Sequence, residues 1–147
     1  MVPGLRFEKK VDSNIKNIQL DKMSSSNNGS KIDLLDTKNQ IKSKINRVYC
    51  LLGEIDDNCL LTILDTIIFP VLQLKGLCFV INRKEKYGGN IVYNNINDIT
   101  TDFKEEKLHP GDLKFGIINA IDLIIEPIRT VFNCKELTKL VNCAYPN

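Results

Sequence analysis

The chain has 147 residues, 43% of them hydrophobic and 26% charged, with a formal net charge of +2. That is enough for one domain with a real core, and a net charge too small to demand or exclude a nucleic-acid partner. Five cysteines without a CxxC pair and a single histidine argue against a zinc site and for reduced thiols over a disulfide framework. No apolar run reaches the roughly 18 residues of a membrane span, and the first residues carry no secretory pattern. A cytoplasmic location is the expectation.

Met1-Val2-Pro3-Gly4-Leu5 is short and apolar and reads as the end of a buried segment. Arg6 to Leu20 is polar and lysine-rich and reads as a surface insertion. Asp21 to Ser30 then gathers a lysine, serine hydroxyls, two asparagines and a glycine. Such a loop can hold polyphosphate, because lysine supplies a point charge while hydroxyls and free backbone N–H groups donate hydrogen bonds. Taken alone it is more commonly a solvated loop.

Ile32 to Leu35 reads as a brief extended segment, with Asp36 as N-cap of a helix over 37–50. Ile41, Ile45 and Val48 recur on one face of that helix. Lys38, Lys42, Lys44 and Arg47 form a basic cluster on it, and Arg83, Lys84 and Lys86 another on a turn. Clusters of this kind can bind RNA, although a solvated face is their commoner meaning. A second helix is predicted from Asn58 to Phe69, apolar on most sides and stopped by Pro70.

Leu77 to Ile81 and Asn90 to Tyr93 read as two strands of a β-hairpin turning at Tyr87-Gly88-Gly89. Two strands alone are marginal in water, so they must rest on helices. Asn97 is expected to cap a polar helix over 98–107. Pro110 opens the longest helix, which runs to about Phe132 with a kink expected at Pro127. Asn133, with Glu136 three residues on, caps a last helix that ends before Tyr145-Pro146. The fold class is mainly α with one small β-hairpin.

Several stretches together carry a resemblance. Met1-Val2-Pro3-Gly4-Leu5, Lys22-Met23-Ser24-Ser25-Ser26, Lys86-Tyr87-Gly88-Gly89 and His109-Pro110-Gly111-Asp112-Leu113-Lys114 appear in this order. Ser30 to Asp36 and the closing Ala144-Tyr145-Pro146 join them. The set resembles the eukaryotic and archaeal tyrosyl-tRNA synthetases, of class I, over nearly the whole chain except Arg6 to Leu20. The resemblance implies that residues 1–30 are the end of a catalytic domain, with an insertion at 6–20 and the mobile catalytic loop. It implies that residues 31–147 are a helical anticodon-binding domain. Such enzymes join tyrosine to ATP, release diphosphate, and transfer tyrosine to its tRNA.

On that resemblance, Lys22, Ser24, Ser25 and Ser26 are catalytic, and Lys22, Met23 and Ser25 bind ATP. A positioned ammonium and hydroxyl donors stabilise the charge that builds on departing diphosphate, most strongly in the transition state. Mg²⁺ is expected to accompany ATP, with no dedicated carboxylate cage apparent, and no zinc. Many class I loops carry a second lysine where this chain has Ser25, which leaves Lys22 alone in the motif.

The anticodon-binding residues implied are Tyr87, His109, Asp112 and Lys114. A carboxylate can accept from guanine N1–H and N2–H₂, and a ring can stack on an unpaired base for about 1–3 kcal/mol. Without the resemblance the commoner readings are structural. Asp112 is then a first-turn acid favoured by the helix dipole, Tyr87 a turn aromatic and His109 a helix-entry residue.

The chain lacks the family's nucleotide-binding βα array and tyrosine pocket, so these residues alone are expected to be inactive. The partners implied are tRNA(Tyr) and the missing catalytic half, with no membrane. A homodimer is expected for the intact enzyme, through an interface absent here. Two further readings stand beside the ligase: a stand-alone RNA-binding module without catalysis, and a helical interaction protein with neither role.

Overall fold

A computed structural model of the chain describes residues 31–132 and 135–144. The expectations placed on Met1 to Ser30, including Lys22, Met23, Ser24, Ser25 and Ser26, lie outside these residues. So do Asn133, on which the expected capping box depends, and Tyr145-Pro146.

Helix α1 spans Lys38–Asn46. Its N-cap is Thr37, not Asp36, and Gln40 completes a capping box by accepting from the Thr37 N–H at 2.8 Å. Asp36 has another task. Its buried carboxylate pairs with the Lys44 ammonium at 2.5 Å and accepts from the Asp33 N–H at 2.8 Å. The helix stops four residues short of the predicted end, at Asn46, but Ile41, Ile45 and Val48 are buried as the periodicity requires.

Asn58 caps α2, Cys59–Ile63, by accepting from the N–H groups of Leu60 and Leu61. The predicted stop at Pro70 is not observed. A π-helical turn, Leu64–Ile68, leads into α3, Phe69–Leu74, which carries Pro70 in its first turn. The Phe69 N–H reaches back to the Leu64 carbonyl, and this wider loop accommodates a ring that an ordinary turn would exclude. The true stop is Gly76, at φ +65°. Its N–H bonds to the Gln73 carbonyl at 3.0 Å and the Leu77 N–H to that of Leu72 at 2.8 Å, a Schellman motif.

Strands β1, Phe79–Ile81, and β2, Ile91–Tyr93, pair antiparallel with Phe79 opposite Tyr93. Phe79, Ile81 and Tyr93 are buried while Val80 and Val92 are exposed, so the hairpin covers the core with one face. Helix α4 spans Ile96–Lys104 and is capped by Asn95, two residues before the predicted Asn97. Ile99 and Phe103 are its buried residues. Asp102 on this helix accepts from the buried Tyr93 hydroxyl at 2.9 Å. Burial, and then this bond to a carboxylate, push the Tyr93 phenol well above its ordinary value.

Helix α5, Pro110–Phe132, packs against α1, β1 and the π-helical turn, and it continues through Pro127 as one element. Its buried face carries Leu113, Gly116, Ile117, Ile118, Ala120, Ile121 and Ile125. Gly116 lets β1 approach closely. A Cβ there would stand 2.8 Å from Phe79 Cζ and 2.9 Å from Ile81 Cγ1. Near its C-terminal end Arg129 donates to the Asp36 carbonyl at 3.2 Å and to the Asp122 and Glu126 carboxylates. A last helix, α6, spans Lys135–Ala144. The result is mainly α with one small hairpin, as the sequence predicts.

Candidate nucleic-acid interface at the head of the long helix

The first turn of α5 is built by the residues around a proline. Pro110 occupies the first helical position, where a missing N–H is harmless. The His109 carbonyl accepts from the Asp112 and Leu113 N–H groups, at 3.0 and 3.1 Å. His109 Nδ1 accepts from the Gly111 N–H at 3.0 Å. The imidazole therefore caps the helix with one nitrogen, which places the proton of the neutral ring on Nε2 as a donor. The ring is exposed and sits under Gly111, whose Cβ would stand 3.1 Å from Nδ1.

Asp112 follows in the first turn, with its side chain 37% exposed. Among the described residues its carboxylate has one charged neighbour, Arg83, at 3.9 Å from Nη1 to Oδ2. An ionised carboxylate offers about four lone-pair sites, and this separation is beyond hydrogen-bond length. Asp112 thus carries charge with most of its accepting capacity unused.

The hairpin loop supplies the ring. Glu85–Tyr87 forms one 3₁₀ turn, closed by Gly88 at φ +93°. Gly89 follows at φ +72°, and such angles favour residues without a Cβ. The turn holds Tyr87 out, 61% exposed, with the Lys86 ammonium 4.6 Å from its ring centroid. Because β1 lies on α5 at Gly116, this loop is carried to the same end of the helix as Asp112. Arg83 then joins them: Nε donates to the Gly89 carbonyl at 3.2 Å and Nη1 points to Asp112.

Lys114 is placed differently. Its ammonium donates to the Asn46 carbonyl at 3.2 Å, at the C-terminal end of α1 where a cation is favoured. Residues two apart on a helix do not share a face, so Lys114 stands away from the Asp112 side of α5. His109 and Asp112 therefore share the first turn of α5, the loop that bears Tyr87 reaches that turn through Arg83, and Lys114 braces α1. The basic cluster expected on α1 is partly consumed as well. Lys44 pairs with Asp36 and Lys38 with Asp122 at 3.3 Å, leaving Lys42 and Arg47 exposed.

Other features do not compete for this role. A cavity of about 70 Å³ lined by Tyr49, Cys50, Glu54, Asp56 and Asp57 is small, and its carboxylates repel polyanions. Burial pushes the Cys50 thiol up, which disfavours thiolate chemistry there. Among the described residues no three His, Cys, Asp or Glu side chains converge to hold a metal ion. No helix among them is long and apolar enough to cross a membrane. The residue that sequence reasoning missed is Arg83, read only as part of a charge cluster. Its position just after a predicted strand, opposite the Gly-Gly turn, was the available signal.

Known proteins bear on this geometry. A family described as class I tRNA synthetases (W and Y) matches residues 16–126, a span that takes in Lys22 to Ser26 as well as Tyr87, His109 and Asp112. The chain is 40% identical over 149 residues to a Gallus gallus protein named tyrosine–tRNA ligase, cytoplasmic, covering 99% of this chain and 28% of that one. It is 41% identical over 151 residues to the Saccharomyces cerevisiae protein of the same name, covering 99% of this chain and 35% of the yeast protein. The structure of tyrosyl-tRNA synthetase from Pyrococcus horikoshii, complexed with L-tyrosine, superposes with a TM-score of 0.72 at 28% identity. That match covers 89% of this chain and 36% of the archaeal one. The chain thus spans about a third of the length of these relatives.

Proposed function

This chain belongs to the class I tRNA synthetases of the W and Y family, and on that premise we propose that it is part of a tyrosine–tRNA ligase and carries its anticodon-reading surface. One observation supports the anticodon assignment above the others. A half-exposed carboxylate with spare accepting capacity, Asp112, is fastened beside a loop that presents an exposed ring, Tyr87. Guanine offers N1–H and N2–H₂ on one edge, which one carboxylate can accept together. Adenine offers neither donor at those positions. Tyr87 stacks on the unpaired base, and the His109 Nε2–H is a further donor beside it.

The proposed division puts residues 1–30 with the catalytic domain and 31–147 with the helical anticodon-binding domain. ATP, tyrosine and tRNA(Tyr) are the substrates proposed for the complete enzyme, in the cytoplasm. Lys22 is the cation proposed to meet the departing diphosphate, with Ser24, Ser25 and Ser26 as donors and Met23 anchoring the loop. Mg²⁺, when bound with ATP, neutralises phosphate charge. The 147 residues taken alone are expected to release no diphosphate from ATP and tyrosine.

The test is a binding titration of the chain with two tRNA(Tyr) transcripts that differ only at the first anticodon base. Guanine is expected to bind about tenfold or more tighter than adenine. Equal binding of both, and of an unrelated tRNA, would instead favour an RNA-binding surface without base reading.

A further inference from the structure

We infer that Arg83 is a positioning residue for base reading, holding the Asp112 carboxylate and the Tyr87 loop at a fixed separation without itself touching the base. The inference rests on the reading of Asp112 proposed above. Arg83 leaves β1 with its side chain only 13% exposed, unlike Lys84 and Lys86, which lie in solvent. Its backbone N–H donates to Asn90 Oδ1 at 3.1 Å, and its Nε to the Gly89 carbonyl at 3.2 Å. Both partners lie on the far arm of the hairpin loop, so one residue closes the loop at its neck. The guanidinium fills the space beneath the turn, since a Cβ on Gly88 would stand 3.3 Å from Nη2. The other end of the fork faces Asp112 at 3.9 Å.

The lengths of these contacts assign the role. A guanidinium that served as a phosphate clamp needs open donors, and this one is nearly enclosed. A guanidinium that saturated Asp112 would make a two-bond pair near 2.8 Å and leave no room for a base edge. At 3.9 Å it attracts and orients the carboxylate while leaving the lone pairs to a ligand. Lysine cannot repeat this, because one ammonium cannot span the Gly89 carbonyl and Asp112 in a planar fork.

The experiment uses the full chain with the guanine and adenine transcripts. Arg83→Lys and Arg83→Gln are compared with the unchanged chain, and Arg83→Gln is repeated in an Asp112→Ala background. Affinity for the adenine transcript is expected to stay within about twofold, while the preference for guanine falls about tenfold in each single variant. In the Asp112→Ala background, Arg83→Gln is expected to lower affinity for the guanine transcript no further, because Arg83 acts through that carboxylate. If Arg83→Gln fails to fold, Arg83→Lys carries the same test. A guanine preference kept intact in both Arg83 variants, but lost in Asp112→Ala, overturns this inference and leaves the Asp112 reading standing. A loss of affinity for the guanine transcript in the double variant beyond that of Asp112→Ala overturns it in favour of direct base contact. Absence of any guanine preference in the unchanged chain removes the Asp112 reading, and the role of Arg83 with it.

Discussion

Two arginine–aspartate pairs meet helix α5, one at its N-terminal turn and one in its C-terminal half, and the two are built differently. Near the C-terminal end Asp122 accepts from Arg129 and pairs with Lys38 at 3.3 Å, while Arg129 also binds Glu126 and the Asp36 carbonyl. The Asp122 and Arg129 side chains are only 20% and 17% exposed, and their bonding is largely used up apart from the buried Arg129 Nε–H, which has no partner among the described residues. At the N-terminal end Asp112 is more open and sees Arg83 only at 3.9 Å. The first arrangement ties the segment before α1 to the long helix and has little left for a ligand. The second keeps a charged acceptor available beside an exposed ring. A carboxylate already bonded on every side is structural, whereas one that is oriented but underused is fit to bind.

The largest effect should come from breaking the saturated end. Arg129→Ala leaves Asp122 and Asp36 short of their partner in a partly buried setting, and is expected to cost about 3 kcal/mol in urea unfolding. The folded fraction should keep its base preference, because Arg129 lies at the other end of α5 from Asp112. Loss of base preference with little loss of stability would dissolve the distinction between the two ends.

Gly116→Ala sharpens the same contrast from the middle of the helix. The added methyl must displace Phe79 and Ile81, at an overpacking cost of about 1–2 kcal/mol after the gain in helix propensity. Because it pushes the hairpin off α5, it should also lower the guanine preference, which Arg129→Ala should not. Unfolding midpoints and the paired transcripts measure both effects.

Acid should act at the saturated end as well. Burial alone would raise the Asp122 pKa, but hydrogen bonds from Arg129 and Lys38 outweigh it and hold the carboxyl below its ordinary value. A carboxyl depressed in the folded state adds stability above its unfolded pKa, and that stability is lost as pH falls toward the folded value. Urea midpoints should therefore decline below about pH 4, where an unfolded aspartate takes up its proton. Asp122→Asn should flatten part of that decline. Asp112→Ala should produce the smallest change in stability, within about 0.5 kcal/mol, as for a surface side chain without hydrogen-bonded partners among the described residues.

Much of this division could be read in the residues, and its limits have physical causes. The apolar period of Ile41, Ile45 and Val48 and the His109-Pro110 entry located α1 and α5, because both depend on local geometry alone. The stop expected at Pro70 is not observed because a π-helical turn over Leu64–Ile68 accommodates the ring. Thr37 and Asn95 won the caps from Asp36 and Asn97 through partners a few residues on, Gln40 and Asp98. In the candidate site, a family resemblance names Tyr87, His109 and Asp112 as candidates, and the shared helical turn of His109 and Asp112 follows from their spacing. Arg83 was not legible, because its role depends on a hairpin laid across a helix. Lys114 follows Asp112 closely in sequence, and only the long-range approach of α1 reveals its bond to the Asn46 carbonyl.

The most direct measurement is the ratio of affinities for tRNA(Tyr) carrying guanine or adenine at the first anticodon position, taken for the unchanged chain and for Asp112→Ala at one salt concentration. If the open end of α5 reads guanine, the unchanged chain favours it about tenfold or more, and Asp112→Ala brings the ratio close to one at unchanged stability. An unchanged chain that binds both transcripts equally, or a preference that survives Asp112→Ala, would contradict that role.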